Sequence, residues 1–255
     1  MNFLSLFVLI PILMLGGLFL SRNMKQIRWV AATGASLLLV LSVVLTFLFL
    51  GERAAGNDAE MLFMAEMPWF TPLNINYSVG VDGISVAMLL LSSVIVFTGV
   101  FASWKINPLP KEFFLWFCLL STGVYGFFIS IDLFTMFLFY EVALIPMYLL
   151  IGVWGTGRKE YSAMKLTLML MGGSALLLVG ILGIYFFTGA ESGYYTMNLL
   201  EIAGRVGFDD QSYFTKVFKK ITGKTPRQFK VSAGADKLLD NEYIRGFPVP
   251  QIGGK

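Results

Sequence analysis

Apolar residues in this chain neither alternate nor recur on one helical face; they come in six nearly unbroken runs. The runs cover approximately residues 3–20, 29–50, 80–104, 113–130, 133–154 and 163–188. A helix of about twenty residues crosses a hydrocarbon core of ~30 Å, so each run predicts a transmembrane helix. Apart from glycine and proline interruptions the runs are apolar on all sides, which leaves no polar face for a water-soluble bundle. The expected fold is an all-α membrane protein with six transmembrane helices over residues 1–200. A short helix-turn-helix-like segment at 201–230 and an unassigned coil at 231–255 follow.

The polar connections predict an orientation, because Lys and Arg collect on the cytoplasmic side. The first loop holds Arg22, Lys25 and Arg28, the third Lys105 and Lys111, and the fifth Arg158 and Lys159. The second carries only Arg53 among Glu52, Asp58, Glu60 and Glu66, and the fourth, around Ser130 and Asp132, has no Lys or Arg. Loops one, three and five are therefore expected in the cytoplasm of a bacterial inner membrane, with the N-terminus exported. The first run does not read as a signal peptide, since its cations follow the apolar stretch.

Ionisable groups inside these runs are few. Asp82 and Asp132 open the third and fifth helices, where a carboxylate caps free N–H groups and meets the positive end of the helix dipole. Glu141 lies nine residues past Asp132, ~13 Å into the bilayer, so it is expected to face a protein interior or a water-filled cavity. Two roles fit it: a carboxylic acid hydrogen-bonded between helices, or a proton relay. Pro146 removes the N–H that would bond the Val142 carbonyl and so leaves a polar foothold beside the acid. Lys165 enters with the sixth helix, either snorkelling to the interface or acting as an internal cation that biases Glu141.

Composition narrows the chemistry. Hydrophobic residues make up 56% and charged residues 14%, there is no histidine, and Cys118 is the single cysteine. Imidazole acid–base work, His-containing metal or haem sites and intramolecular disulfides are thereby excluded. Proton movement would have to use carboxylates, lysines, tyrosines and water.

Two stretches carry a resemblance: MPWFTPLNINYSVGVDGISVAMLLL at 67–91 and FISIDLFTMFLFYEVALIPMYLLIGVWG at 128–155. Both resemble the antiporter-like membrane subunits of proton-pumping respiratory NADH:quinone oxidoreductase, of the chain M type. Related antiporter subunits and the membrane subunits of hydrogenase-linked complexes share much of the pattern. The resemblance implies a proton-pathway role for Glu141 and an associated one for Lys165. It also implies other complex I membrane subunits as partners within the lipid bilayer. No cofactor is expected in this chain; NADH, quinone, flavin and iron–sulfur clusters would belong to other subunits. Such subunits resemble fourteen-helix proteins with further lysines beyond the sixth helix, so six helices are expected to lack a complete proton path.

The text then changes. Through residue 200 there are nine Lys/Arg against ten Asp/Glu; beyond it, ten against six. Leu199, Leu200, Ile202, Ala203 and Val206 suit a short amphipathic helix. After Gly207, Tyr213, Phe214, Val217, Phe218 and Ile221 fall at helical spacing, with Lys216, Lys219 and Lys220 on the other face. This segment resembles the second helix-turn-helix of AraC-type transcription regulators. By that resemblance Asp210, Gln211, Ser212, Tyr213 and Lys216 would meet DNA, though only if the tail were cytoplasmic. A fusion of a truncated membrane subunit with a regulator fragment is the expectation, joined near 198–205.

Overall fold

The computed structural model describes residues 3–57, 59, 61–70, 75–106, 109–193 and 195–205, without the side chains of 191, 192 and 203–205. The chain divides after Phe208, and all described residues lie in its first unit. A 3-10 turn, Phe3–Ser5, leads into α1 (Leu6–Leu20), followed by α2 (Met24–Ala54), β1 (Leu62–Phe70) and β2 (Ile75–Val81). Then come α3 (Gly83–Ala102), α4 (Pro110–Ile129), α5 (Leu133–Trp154), α6 (Lys159–Ser192) and α7 (Leu199–Arg205). Six of these helices are long and apolar enough to cross a membrane.

The helices overrun the apolar text where polar residues still propagate a helix. Once a turn is nucleated, each added residue gains a backbone hydrogen bond. Thus α2 starts at Met24 and takes Lys25 and Arg28 into its first turns, and α6 starts at Lys159 rather than near residue 163. The third span begins at Gly83, not residue 80, because Gly80 and Val81 belong to β2.

An all-α fold is corrected by that strand. β1 and β2 form an antiparallel hairpin in the second loop, pairing Ala65 with Val79, Met67 with Tyr77 and Phe70 with Ile75. A search for long apolar runs cannot see it, since the strands are short and β1 mixes Glu66 and Pro68 with exposed apolar residues. β2 is buried over most of its length and leans on the α4–α5 connection, where Val79 bridges Ser130.

Successive helices pack on one another and α1 also packs on α4: α1 lies against α2 and α4, α2 against α3, α3 against α4, α4 against α5, and α5 against α6. Phe7, Leu18, Leu38, Leu45, Leu89 and Tyr125 are fully buried in the main core. Tyr125 donates to Ser93 Oγ at 3.1 Å, and the Cys118 thiol donates to the Pro11 carbonyl at 3.2 Å, so α4 is tied to α3 and α1 by buried polar contacts. A second cluster joins Ile75, Leu133, Ile181, Tyr185, Met197 and Ile202 where β2, α5, α6 and α7 meet.

The two ends of the bundle differ in chemistry. At one, Lys111 Nζ donates to the carbonyls of Phe19 and Ser21 at 3.0 and 2.9 Å, and Lys159 Nζ donates to the Val153 carbonyl at 2.7 Å. These lysines meet the negative ends of α1 and α5. At the other end the backbone of 130–133 is stitched between β2 and the segment before α7. Ile131 N–H donates to Ser78 O, Leu133 N–H to Met197 O, and Leu199 N–H to Ile131 O.

Glycine sets how closely α4 approaches α5. A methyl added at Gly123 would lie 2.8 Å from Ala143 N and Phe139 O, both backbone atoms that cannot swing aside. Gly123→Ala is therefore expected to destabilise the bundle by about 1–3 kcal/mol through overpacking. Gly172→Ala meets nothing within 4 Å and should be neutral or stabilising by up to ~1 kcal/mol. Thermal unfolding in detergent, followed by circular dichroism, separates the two; equal melting temperatures would refute the close α4–α5 contact.

Candidate functional site

Glu141 sits in a continuous α5, eight residues after its first, or ~12 Å along the helix axis. Two contacts fix which way it points. Phe139 and Ala143 face α4, where Gly126 and Gly123 receive them. Glu141 is two residues from each, so ~160–200° round the helix and turned away from α4. Gly152, eleven residues on and hence on nearly the same face, packs on Ala163 of α6; a methyl there would stand 3.7 Å from the Ala163 Cβ. Glu141 thus faces α6.

Counting the antiparallel pair back from Gly152 and Ala163 by eleven residues on each helix brings Ser174 to the level of Glu141. Ser174 is buried, and its hydroxyl donates to the Met171 carbonyl at 3.0 Å. Glu141 Oε1 is buried and has no hydrogen-bond partner among the described residues. Ser174 was not singled out by the sequence, although counting helical turns from any known α5–α6 contact would have found it.

Lys165 is exposed and lies two residues past the buried Ala163, ~200° round α6. It therefore points away from α5, and Glu141 Oε1 does not reach it. Pro146 is buried within α5, seven residues from Phe139 and so on the α4 side. The chain by itself brings Glu141 toward Ser174 but does not bring it to Lys165.

Both aspartates hold helix ends. Asp82 Oδ1 accepts from Ser85 N–H at 2.7 Å and Asp132 Oδ1 from Thr135 N–H at 3.0 Å. Asp132 is only 1% exposed. Burial raises its carboxyl above the usual value, opposed by hydrogen bonds from Thr135 backbone and side chain and from the Phe134 and Asn76 backbones. Asp210, Gln211, Ser212, Tyr213 and Lys216 lie outside the described residues. Among the described residues no group of three or more Cys, Asp or Glu could hold a metal.

The raised Asp132 carboxyl gives a signed pH dependence. Its folded form prefers the proton, so its contribution is most favourable below the ordinary value of 3.8 and is lost as pH rises through the higher folded value. Asp132→Asn keeps an acceptor for Thr135 N–H without a charge to bury. It should leave the melting temperature at pH 7 equal or higher and flatten its pH dependence above pH ~4, whereas Asp132→Ala should cost about 1 kcal/mol. Tryptophan-monitored melts in detergent across pH 4–8 provide the test, and an Asn variant that melts lower at pH 7 would overturn it.

Residues 130–216 match the transmembrane family described as NADH:quinone oxidoreductase/Mrp antiporter. The chain is 31% identical over 168 residues to NAD(P)H-quinone oxidoreductase chain 4 of Thermosynechococcus vestitus, covering 66% of this chain and 31% of that one. It is 32% identical over 168 residues to NADH-quinone oxidoreductase subunit M of Rhodobacter capsulatus, covering 65% and 31%. Its fold is similar to a chain of respiratory complex I from Thermus thermophilus, with TM-score 0.64 and 23% identity over 79% of this chain and 39% of that one. The chain thus spans about a third of the length of the curated relatives it matches. Over that part, it is similar to the antiporter-like transmembrane subunits of the complex I and Mrp antiporter family.

Proposed function

We propose that this chain is a proton-translocating membrane subunit of an NADH:quinone oxidoreductase of the chain M type, in which Glu141 accepts and releases the proton. The observation that carries this is the buried, unpartnered Glu141 Oε1 within a continuous transmembrane helix, facing α6. An acid in that position is costly unless water or a proton satisfies it. Ser174 would take the place of a positioning hydroxyl across from it. Lys165, on the far side of α6, would act through water or through a neighbouring helix rather than by direct contact with Glu141.

NADH, quinone, flavin and iron–sulfur chemistry would sit on partner subunits, and this chain would add no redox group of its own. A cation/proton antiporter subunit is the alternative, since the matched family description covers both. The described helices carry the same carboxylate in either case, and purification with or without an NADH-oxidising arm distinguishes them. In membranes containing the assembled complex, Glu141→Gln should lower the protons pumped per electron, with quinone reduction affected far less. Normal pumping by the Gln variant would remove Glu141 from the path.

The chain would lie in the bacterial cytoplasmic membrane with its N-terminus exported, which also exports whatever follows α6. A DNA-binding tail of AraC type requires the opposite side. The family match supports continuity instead, running through the expected join at 198–205 to residue 216. Alkaline phosphatase fused after Lys230 is expected to be active and a cytoplasm-only fluorescent protein at the same point dark; the reverse pattern would restore Asp210, Gln211, Ser212, Tyr213 and Lys216 as candidate DNA contacts.

A further inference from the structure

Outside the Glu141 region, the outer face between α2 and α3 carries a groove of about 630 Å³. Trp29, Thr33, Ser36 and Val40 form one wall along α2, and Phe101 and Trp104 close it at the end of α3. The four α2 residues recur at helical spacing, and from Trp29 to Val40 the groove runs ~16 Å toward the middle of the bundle.

The wall is apolar in effect, although two of its residues are hydroxylic. Thr33 Oγ1 donates to the Trp29 carbonyl at 2.8 Å, and Ser36 Oγ donates to the Ala32 carbonyl at 2.7 Å. Neither donor is left for an occupant, so the groove selects hydrocarbon.

The mouth has the opposite chemistry. The Arg28 guanidinium stands over the Trp104 ring, 5.8 Å from its centroid, and Arg28 Nε is buried without a hydrogen-bond partner. Phe101 stacks on Trp104 at 5.7 Å and 4°, holding the ring under the cation. Lys25, one turn before Arg28, and Lys105, next to Trp104, are both exposed. The chain has no acidic residue before Glu52 and none between Asp82 and Glu112, so these cations have no neighbouring carboxylate in their own segments. By contrast Lys111 and Lys159, at the same end of the bundle, already donate to helix-terminal carbonyls.

A cation with a buried unmet N–H at the membrane surface, continuous with a long hydrocarbon-lined groove, fits an anion covalently joined to an alkyl chain. We infer that the α2–α3 groove is a binding site for an anionic phospholipid, with one acyl chain between Trp29 and Val40 and the phosphate on Arg28, supported by Lys25 and Lys105. The site is independent of proton movement through Glu141. It places a bound lipid at the α2–α3 seam, lined by Trp29 to Val40 and Phe101 to Trp104, apart from the α5–α6 contact. An apolar helix of a partner subunit could also fill the groove, but it would leave the basic mouth without a counter-charge.

The test uses the full chain with Trp69, Trp116 and Trp154 replaced by Phe, so that Trp29 and Trp104 report. It is reconstituted in dioleoylphosphatidylcholine vesicles containing a small fraction of chain-brominated phosphatidylglycerol or chain-brominated phosphatidylcholine. Bromine-quenched fluorescence should show about a fivefold preference for the glycerol lipid, the size expected for one well-placed cation at an anionic membrane surface. Arg28→Gln should bring the two lipids to parity, Arg28→Lys should keep most of the preference, and Thr33→Phe should reduce quenching by both. Equal quenching by both lipids in the parent, or a preference unchanged in Arg28→Gln, would overturn the assignment. If Arg28→Gln does not fold, the parent's lipid preference and the Thr33→Phe variant still decide. Photocrosslinking of another membrane subunit from a photoreactive residue at position 33, in membranes containing the assembled complex, with no bromine quenching in the parent, would give the groove to a helix instead.

Discussion

At the edge of a hydrocarbon core every backbone N–H and C=O needs a partner, and a turn of three residues cannot supply its own. The passage from α4 to α5 is such a turn. Its donors and acceptors are met from outside: Ser78 of β2 accepts from Ile131, Met197 accepts from Leu133, and Ile131 accepts from Leu199. Asp132, buried in the middle, accepts from Thr135 N–H in the first turn of α5. The hairpin and α7 are thus the partners that allow two transmembrane helices to be joined so tightly. Because α5 begins at this junction, the depth of Glu141 is set there too.

Depth alone does not make a site; direction does. Gly123 and Gly126 let α5 sit so close to α4 that Phe139 and Ala143 occupy that interface, and the helical repeat then turns Glu141 toward α6. Small residues provide this approach without competing polar groups. On the facing helix Ser174 is also small, and its hydroxyl is engaged with its own backbone at 3.0 Å. Glu141 Oε1 is left as the polar atom in that seam without a donor among the described residues. A local cost of this kind persists only where the surrounding packing enforces it, here the α4–α5 contact and the capped start of α5.

Much of this was legible in the sequence, and what was not has physical reasons. Six apolar runs gave six helices because hydrocarbon length is a strict constraint, and the basic residues of loops one, three and five do lie at one end of the bundle. The hairpin escaped because Glu66 and Pro68 interrupt any strand pattern in β1, and its stability comes from Ser130 and Ile131, which lie more than fifty residues away in sequence. The start of α6 was misplaced because Lys159 and Glu160 are polar yet helical. Glu141 could be found from its depth in an apolar run, whereas the outward face of Lys165 could not, since that depends on which side of α6 meets α5. Ser174 has no signal of its own in the text; it becomes visible only once Gly152 is seen against Ala163.

That outward face has a consequence for any coupled proton movement. The membrane windows of α5 and α6 are only 11% buried, against 50% for α4, so the last two transmembrane helices present most of their surface outward. Lys165 is on the exposed side of α6, whereas Glu141 is on the side of α5 that meets α6. Counted from the Gly152–Ala163 contact, Lys165 is level with Leu150, nine residues or ~13 Å along the axis from Glu141, so the two are separated along the bundle as well as across a helix. A hydrogen-bond partner for Glu141 would have to stand on the α5-facing side of α6. Ser174, on that side, offers a hydroxyl that is already donating to the Met171 carbonyl. The described helices therefore leave the Glu141 carboxyl turned toward the α5–α6 seam with Oε1 unpartnered among the described residues, and Lys165 on the other face of α6.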